Sequence, residues 1–122
     1  MREIKFRVWD DVLGIREVDE ISFCGGFCSV ADEHETYELN LDNLMQYTGL
    51  KDRYDIEYCQ DDIFIDGRTG YKYKVIKDIA AFWGEPTEPE LMAEDYCKTL
   101  LCNINVMSEI IGNIHENPEL ME

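Results

Sequence analysis

"DIFIDGRTGYKYKVIK", Asp62–Lys77, decides how this chain folds. Ile63, Phe64 and Ile65 form a short β-prone run. Asp66-Gly67 signals a turn, which extends here to Gly70. Beyond it Tyr71, Tyr73 and Val75 alternate with Lys72, Lys74 and Ile76, the two-residue period of a strand with one face turned to a core. Residues 62–66 and 71–77 are therefore expected to pair as antiparallel neighbours, with residues 79–83 extending the sheet and Gly84 ending it.

The same rhythm extends outward. Ile4, Phe6 and Val8 alternate with Lys5, Arg7 and Trp9. Asp10-Asp11 begin a turn, with Gly14 available for positive φ. Residues 15–18 return, so 4–18 reads as a hairpin. Residues 21–23 and 27–30 flank Gly25-Gly26 as short strands, and residues 31–36 are loop-like. Tyr37, Leu39 and Leu41 alternate with polar partners. Leu44–Thr48 is extended, and Gly49 permits a bend. Residues 109–115 are β-like, and 117–120 close the chain as a turn.

One segment has a different period. Leu91, Met92, Tyr96, Leu100 and Leu101 recur near helical spacing. Thr87 is an apt N-cap, with Pro89 and Glu90 in the first turn. A helix over 90–101 is expected. The sum is a mainly β (β-rich α+β) domain. It would be a small SH3-like barrel or rolled antiparallel sheet with an N-terminal hairpin and one helix in the C-terminal half. A single domain of 122 residues fits. Within it, 1–43 is an N-terminal β region, 44–84 a central barrel-like region, and 85–122 a helix plus closing strand.

Composition narrows function without naming it. The net charge is −16, with 45% hydrophobic and 31% charged residues. Residues 1–50 carry −7, 51–83 carry −1 and 84–122 carry −8. The overall field repels phosphate, so nucleic acid is a poor default partner. No apolar run approaches a membrane span, and the N-terminus lacks the apolar core of a signal peptide. A cytoplasmic protein is expected. The five cysteines (Cys24, Cys28, Cys59, Cys97 and Cys102) are odd in number and irregularly spaced. They read as reduced, mostly buried thiols rather than a zinc site, since His34 and His115 stand at no finger-like spacing from them.

Three blocks then stand out in order: "REIKFRVWD" at 2–10, "LMQYTGLKD" at 44–52 and "IIGNIHENPEL" at 110–120. Together they closely resemble the YopX-type family of phage and prophage proteins. Val8 and His115 depart from that family's usual alanine and tyrosine. Tyr58–Asp62 lacks the glycine of its Y-E-G-D turn. The resemblance implies a mostly β fold with a small SH3-like barrel from the central run, a mobile-element origin in a bacterial host, and no transferable catalytic residue.

The side chains offer several candidate sites. Trp9, Tyr47 and Trp83 serve either core or interface. Tyr71, Lys72, Tyr73 and Lys74 interleave aromatic and basic groups in a manner that would suit a single strand of nucleic acid. Lys51-Asp52 with Arg53 would bind an anion or, as favoured here, orient a loop. Asp61, Asp62 and Asp66 would cluster around a hard cation or, as favoured here, form a solvated acidic turn. No Gly-x-Ser-x-Gly, Walker or HExxH pattern occurs. A Cys–His dyad from Cys59 or Cys102 with His34 or His115 has only weak sequence support.

The leading expectation is a non-enzymatic phage or prophage accessory protein that binds a partner protein or itself, with no cofactor and no metal. The alternative is a nucleic-acid-related binder, either of single strands through the central β surface or by acidic mimicry of DNA. An enzyme ranks third.

Overall fold

A computed structural model of the chain describes residues 5–22, 25–31, 35–78, 81–87 and 99–121. The fold is mainly β, and the chain divides into two compact units, Met1–Tyr47 and Thr48–Glu122.

In the first unit, β1 (Phe6–Asp10) and β2 (Gly14–Glu17) form the expected hairpin, with Arg7 opposite Glu17 and Asp10 opposite Gly14. Asp10 makes the turn. Its Oδ2 accepts the amides of Val12 at 3.0 Å and Leu13 at 2.9 Å. β3 (Glu20–Ser22), β4 (Phe27–Ala31) and β5 (Thr36–Asn40) form a three-stranded antiparallel sheet. The first half of β6 (Leu44–Lys51) pairs with β1, Val8 opposite Leu44. Val8, Cys28 and Val30 are buried, and Leu13, Tyr37, Leu39 and Leu44 pack against them. Alternation along β5 does what the sequence pattern requires: Tyr37 and Leu39 turn inward while Glu38 and Asn40 face water.

The second unit contains the rest of β6, then β7 (Glu57–Cys59), β8 (Asp62–Ile65), β9 (Lys72–Asp78), β10 (Ala81–Pro86), β11 (Thr99–Leu100) and β12 (Glu109–Asn113). Five of these form a curled antiparallel sheet in the order β11-β10-β9-β8-β12. An extra residue, Ile111, between Ile110 and Gly112 bulges β12 against β8 and adds local twist. Phe64 lies opposite Tyr73 across β8 and β9, and their rings stack with centroids 5.5 Å apart. Tyr58 meets Phe64 edge-on at 5.3 Å. Each such pair adds about 0.5–1.5 kcal/mol beyond the area it buries. Val75, Leu101 and Ile104 complete this core.

Several local expectations are corrected. Gly49 does not bend the chain out of the sheet: β6 continues through it to Lys51, with Gly49 at φ 81°. Gly84 does not end a strand. It lies within β10, opposite Val75, where a Cβ would come within 2.7 Å of the Phe64 ring. The 66–70 turn closes through Asp66, whose carbonyl accepts the Gly70 amide at 2.8 Å. Gly67 is needed for close approach, since a Cβ there would sit 2.0 Å from the Met107 carbonyl oxygen. Most of the expected helix over 90–101 lies outside the described residues. Its end is corrected: Thr99–Leu100 pairs with β10, and the one-turn helix α1 begins at Leu101 and ends at Ile104. The closing turn is a 3-10 helix, Pro118–Met121. Where the family's Y-E-G-D turn has glycine before the aspartate, Asp61 adopts φ 69° itself.

Candidate interaction site

The site is built on Asp52, the last residue of the "LMQYTGLKD" block, one position beyond β6. Its side chain is 5% exposed. Oδ1 accepts the amides of Tyr54 at 2.9 Å and Ile56 at 3.0 Å, and Oδ2 accepts the amide of Ile110 at 3.0 Å. The backbone closes the same loop. The Asp52 amide donates to the Ile56 carbonyl at 2.8 Å, and the Asp55 amide, on a residue at φ 68°, donates to the Asp52 carbonyl.

A second set of bonds holds the loop to the segment after α1. The Arg53 amide donates to the Ser108 carbonyl at 3.0 Å. Buried Asn105 donates from Nδ2 to the Lys51 carbonyl at 2.8 Å. The Ser108 hydroxyl is buried and donates to the Ile104 carbonyl at 2.8 Å. The Tyr58 hydroxyl donates to the Asn105 carbonyl at 3.1 Å. Burial foremost, then the nearby Asp52 charge, push the Tyr58 phenol well above its ordinary pKa, so it remains a donor.

A buried carboxylate is expensive unless its lone pairs are used, and here three backbone amides use them. What this bracing holds in place is four exposed residues, Arg53, Tyr54, Asp55 and Ile56. Tyr54 is 59% exposed and Ile56 54%. Val106, in the 3-10 turn Asn105–Met107 bonded to this loop, is 69% exposed. The Arg53 guanidinium lies over the Tyr54 ring at 5.3 Å, and Lys51 Nζ meets Asp55 at 3.5 Å. Rigid aromatic and arginine groups held in water are the residue types that dominate protein–protein contacts. The loop is shaped internally and spends its side chains outward.

The candidates read from the sequence are dispersed. Trp9 is half-buried at the edge of a cleft in the first unit. The Tyr47 hydroxyl donates to Glu17 at 2.5 Å, with Lys5 Nζ 5.0 Å and Arg7 Cζ 5.9 Å from its ring. Tyr71, Lys72, Lys74 and Trp83 are half-buried in the second unit. Tyr73 is removed from any surface, being 1% exposed and stacked on Phe64. The physical reason is the pleat: neighbours on β9 point to opposite faces, so Tyr73 cannot share a face with Lys72 and Lys74.

The carboxylates are also placed differently from expectation. Asp62 and Asp66 are not a solvated acidic turn, being 4% and 1% exposed. Asp62 Oδ2 accepts the Cys59 amide at 2.8 Å, and Asp66 is bound by the amide, Nε and Nη2 of Arg68. Asp61 faces His115 at 3.2 Å. Among the described residues no group of three or more His, Cys, Asp or Glu is placed to hold a metal ion. Cys28 and Cys59 are buried free thiols, and Cys102 is exposed. No helix among the described residues is long and apolar enough to cross a membrane.

Sequence reasoning missed Tyr54, Ile56, Val106, Asn105 and Ser108. The local signal was present in "KDRYD", since an aspartate that caps the amide two residues on is a turn former. The Ile110 and Asn105 contacts span 58 and 54 residues and leave no local trace.

Comparison with known proteins supports the fold. A solved structure, the crystal structure of protein EF1440 from Enterococcus faecalis, aligns over 100% of both chains with a TM-score of 0.66 at 21% identity. At that identity the likeness speaks for the fold alone. No curated protein matches the sequence. The family model described as YopX protein matches residues 5–122, which contain the second and third blocks whole and most of the first. The chain belongs to the YopX protein family.

Proposed function

We propose that this protein is a non-enzymatic accessory protein of a phage or prophage, a protein-interaction or self-assembling module whose docking element is the Arg53–Ile56 loop with Val106. The observation that carries the reading is the buried Asp52 carboxylate bracing a loop whose own four side chains are exposed. Preorganisation of this kind lowers the ordering cost of association. The polar side chains buried around the loop (Asp52, Asn105, Ser108) are engaged in holding backbone rather than gathered at a cleft.

Single-strand nucleic-acid binding is the weaker reading, because Tyr73 is buried on the strand face opposite Lys72 and Lys74. Acidic mimicry of DNA draws on the net charge alone. The test is cross-linking and affinity capture from phage-carrying cells with the wild type and with R53A/Y54A/I56A. The reading expects a partner, or a second copy, that the triple variant fails to retain although it folds normally. Equal retention by both would refute it, and retention abolished instead by single-stranded oligonucleotide would favour the alternative.

A further inference from the structure

In the first unit β2 is the outer strand of its sheet, which runs β2-β1-β6-β7. The backbone bonds of β1 divide by parity. The Tyr47 amide donates to the Lys5 carbonyl at 2.9 Å and the Trp9 amide to the Asn43 carbonyl at 3.3 Å, so odd-numbered residues bond toward β6. The Val18 amide donates to the Phe6 carbonyl at 3.2 Å, so even-numbered residues bond toward β2. Bonded and non-bonded pairs alternate along an antiparallel ladder. Arg16 and Val18 therefore spend their backbone groups on β1, while the N–H and C=O of Ile15 and Glu17 point to the outer edge. Among the described residues nothing bonds to those four groups. Such a row of open donors and acceptors is a template for one more strand.

The edge runs into a cleft of about 390 Å³ where β2 passes into β3. Phe6, Val18 and Ile21, all half-buried, form its apolar wall. Its charged residues are Lys5, Glu17, Asp19 and Glu20, a net of −2. Lys5 Nζ lies 5.0 Å from the Tyr47 ring, and Glu17 Oε1 accepts the Tyr47 hydroxyl. Asp19 and Glu20 are exposed and, among the described residues, meet no cation, so they set the charge of the rim. Arg16 is turned to the strand face opposite Glu17, and its Nε donates to the Leu13 carbonyl at 3.0 Å. A lysine or arginine suits this place, its stem along the apolar wall and its charged head at the carboxylates. The net charge of −16 draws in a cationic segment and repels a second copy.

We propose that the free edge of β2 receives an extended, basic segment of a partner protein as an added strand, with one lysine or arginine side chain seated in the cleft beside Asp19 and Glu20. Ile15 and Glu17 supply the backbone bonds, and the cleft selects the side chain. This goes beyond the Arg53–Ile56 loop: it is a second docking element, in the other unit, and does not depend on the first.

Hydrogen exchange of the full chain with a capped synthetic peptide of alternating lysine and valine tests the proposal. In the free protein the Arg16 and Val18 amides should be protected, and those of Ile15 and Glu17 should exchange freely. With saturating peptide the Ile15 and Glu17 amides should slow by at least about tenfold. N-methylation of every second peptide residue should abolish binding in one frame and spare it in the other, because only alternate amides of an added strand face β2. D19K/E20K should bind the peptide at least about tenfold more weakly than wild type. E109K/E119K, which makes the same change in net charge in the other unit, should not. R53A/Y54A/I56A should bind the peptide as wild type does, so this proposal and the loop reading fail separately. No binding at millimolar peptide overturns the proposal. So does binding that leaves Ile15 and Glu17 unprotected, equal binding by both methylated frames, or an E109K/E119K variant as weak as D19K/E20K. Protection of these two amides that rises with protein concentration alone would assign the edge to a second copy and overturn the basic occupant.

Discussion

Replacing Asp52 with alanine should cost about 3–4 kcal/mol and lower the melting temperature by about 12–16 °C. Three amides donate to this carboxylate at 2.9–3.0 Å. Hydrogen bonds to a charged group contribute roughly 1.5–3 kcal/mol each, but they are not additive. Tyr54 and Ile56 are more than half exposed, so their amides regain water when the carboxylate is lost. The Ile110 amide lies in β12 and has less access to water. Counting it in full and the two loop amides together as about one more bond, each near the lower end of that range, gives the figure quoted. An entropy of about 2.1 cal/mol/K per residue converts it to the temperature shift for a chain of this length. D52N should cost less, about 2 kcal/mol, since its amide keeps one acceptor but opposes the Ile110 N–H with a second donor. Thermal unfolding followed by circular dichroism gives the stability, and hydrogen exchange locates the effect. In D52N the Ile110 amide should lose protection, while those of Tyr54 and Ile56, which still face an acceptor, and those of β8 and β9 retain it. A melting point for D52A within about 2 °C of wild type, with the Ile110 amide still protected, would refute the bracing argument.

Other perturbations test neighbouring parts of the account. G67A should destabilise by more than about 2 kcal/mol because its Cβ would meet a backbone oxygen at 2.0 Å. G70A, at φ 78° with open space around it, should cost only about 1 kcal/mol; denaturant titration giving the reverse order would contradict this. Burial pushes the Asp66 carboxyl up, but the Arg68 hydrogen bonds and charge outweigh it and hold it below the ordinary carboxylate range. Its contribution is therefore complete above the unfolded value, about 3.9, and is lost as pH falls through the lower folded value. R68M leaves the burial with only the backbone amide of residue 68 to offset it, so acid unfolding should begin at higher pH, and an unchanged acid midpoint would contradict the pairing. Tyr58 should ionise at higher pH than the exposed tyrosines in an ultraviolet alkaline titration, and Y58F should remove that late step.

The strand content was legible because it depends on a period of two. Ile63 to Val75 specify β8, the turn and β9 by local alternation, and residues 4–18 specify the first hairpin in the same way. What misled was glycine. Gly49 and Gly84 were read as bends or stops, but each sits inside a strand, one for its positive φ and the other for the ring of Phe64 pressed against it. The second reason depends on a residue distant in sequence and cannot be seen locally. Aspartates misled similarly. Asp62 and Asp66 look like part of a wet acidic turn, yet each is buried because its oxygens collect backbone amides. Tyr73 and its neighbours Lys72 and Lys74 are adjacent in sequence and opposed in space. The site itself was half legible: the importance of the "LKD" block was visible, but the exposed residues it holds outward were not.

The most direct test compares the stability of R53A/Y54A/I56A with that of D52A in one set of denaturant titrations. If the loop is braced from within and displayed outward, the triple variant should stay within about 1 kcal/mol of wild type, as surface substitutions do, while D52A loses several times more. A triple variant as unstable as D52A would mean that these side chains hold the fold together, and would contradict their assignment to docking.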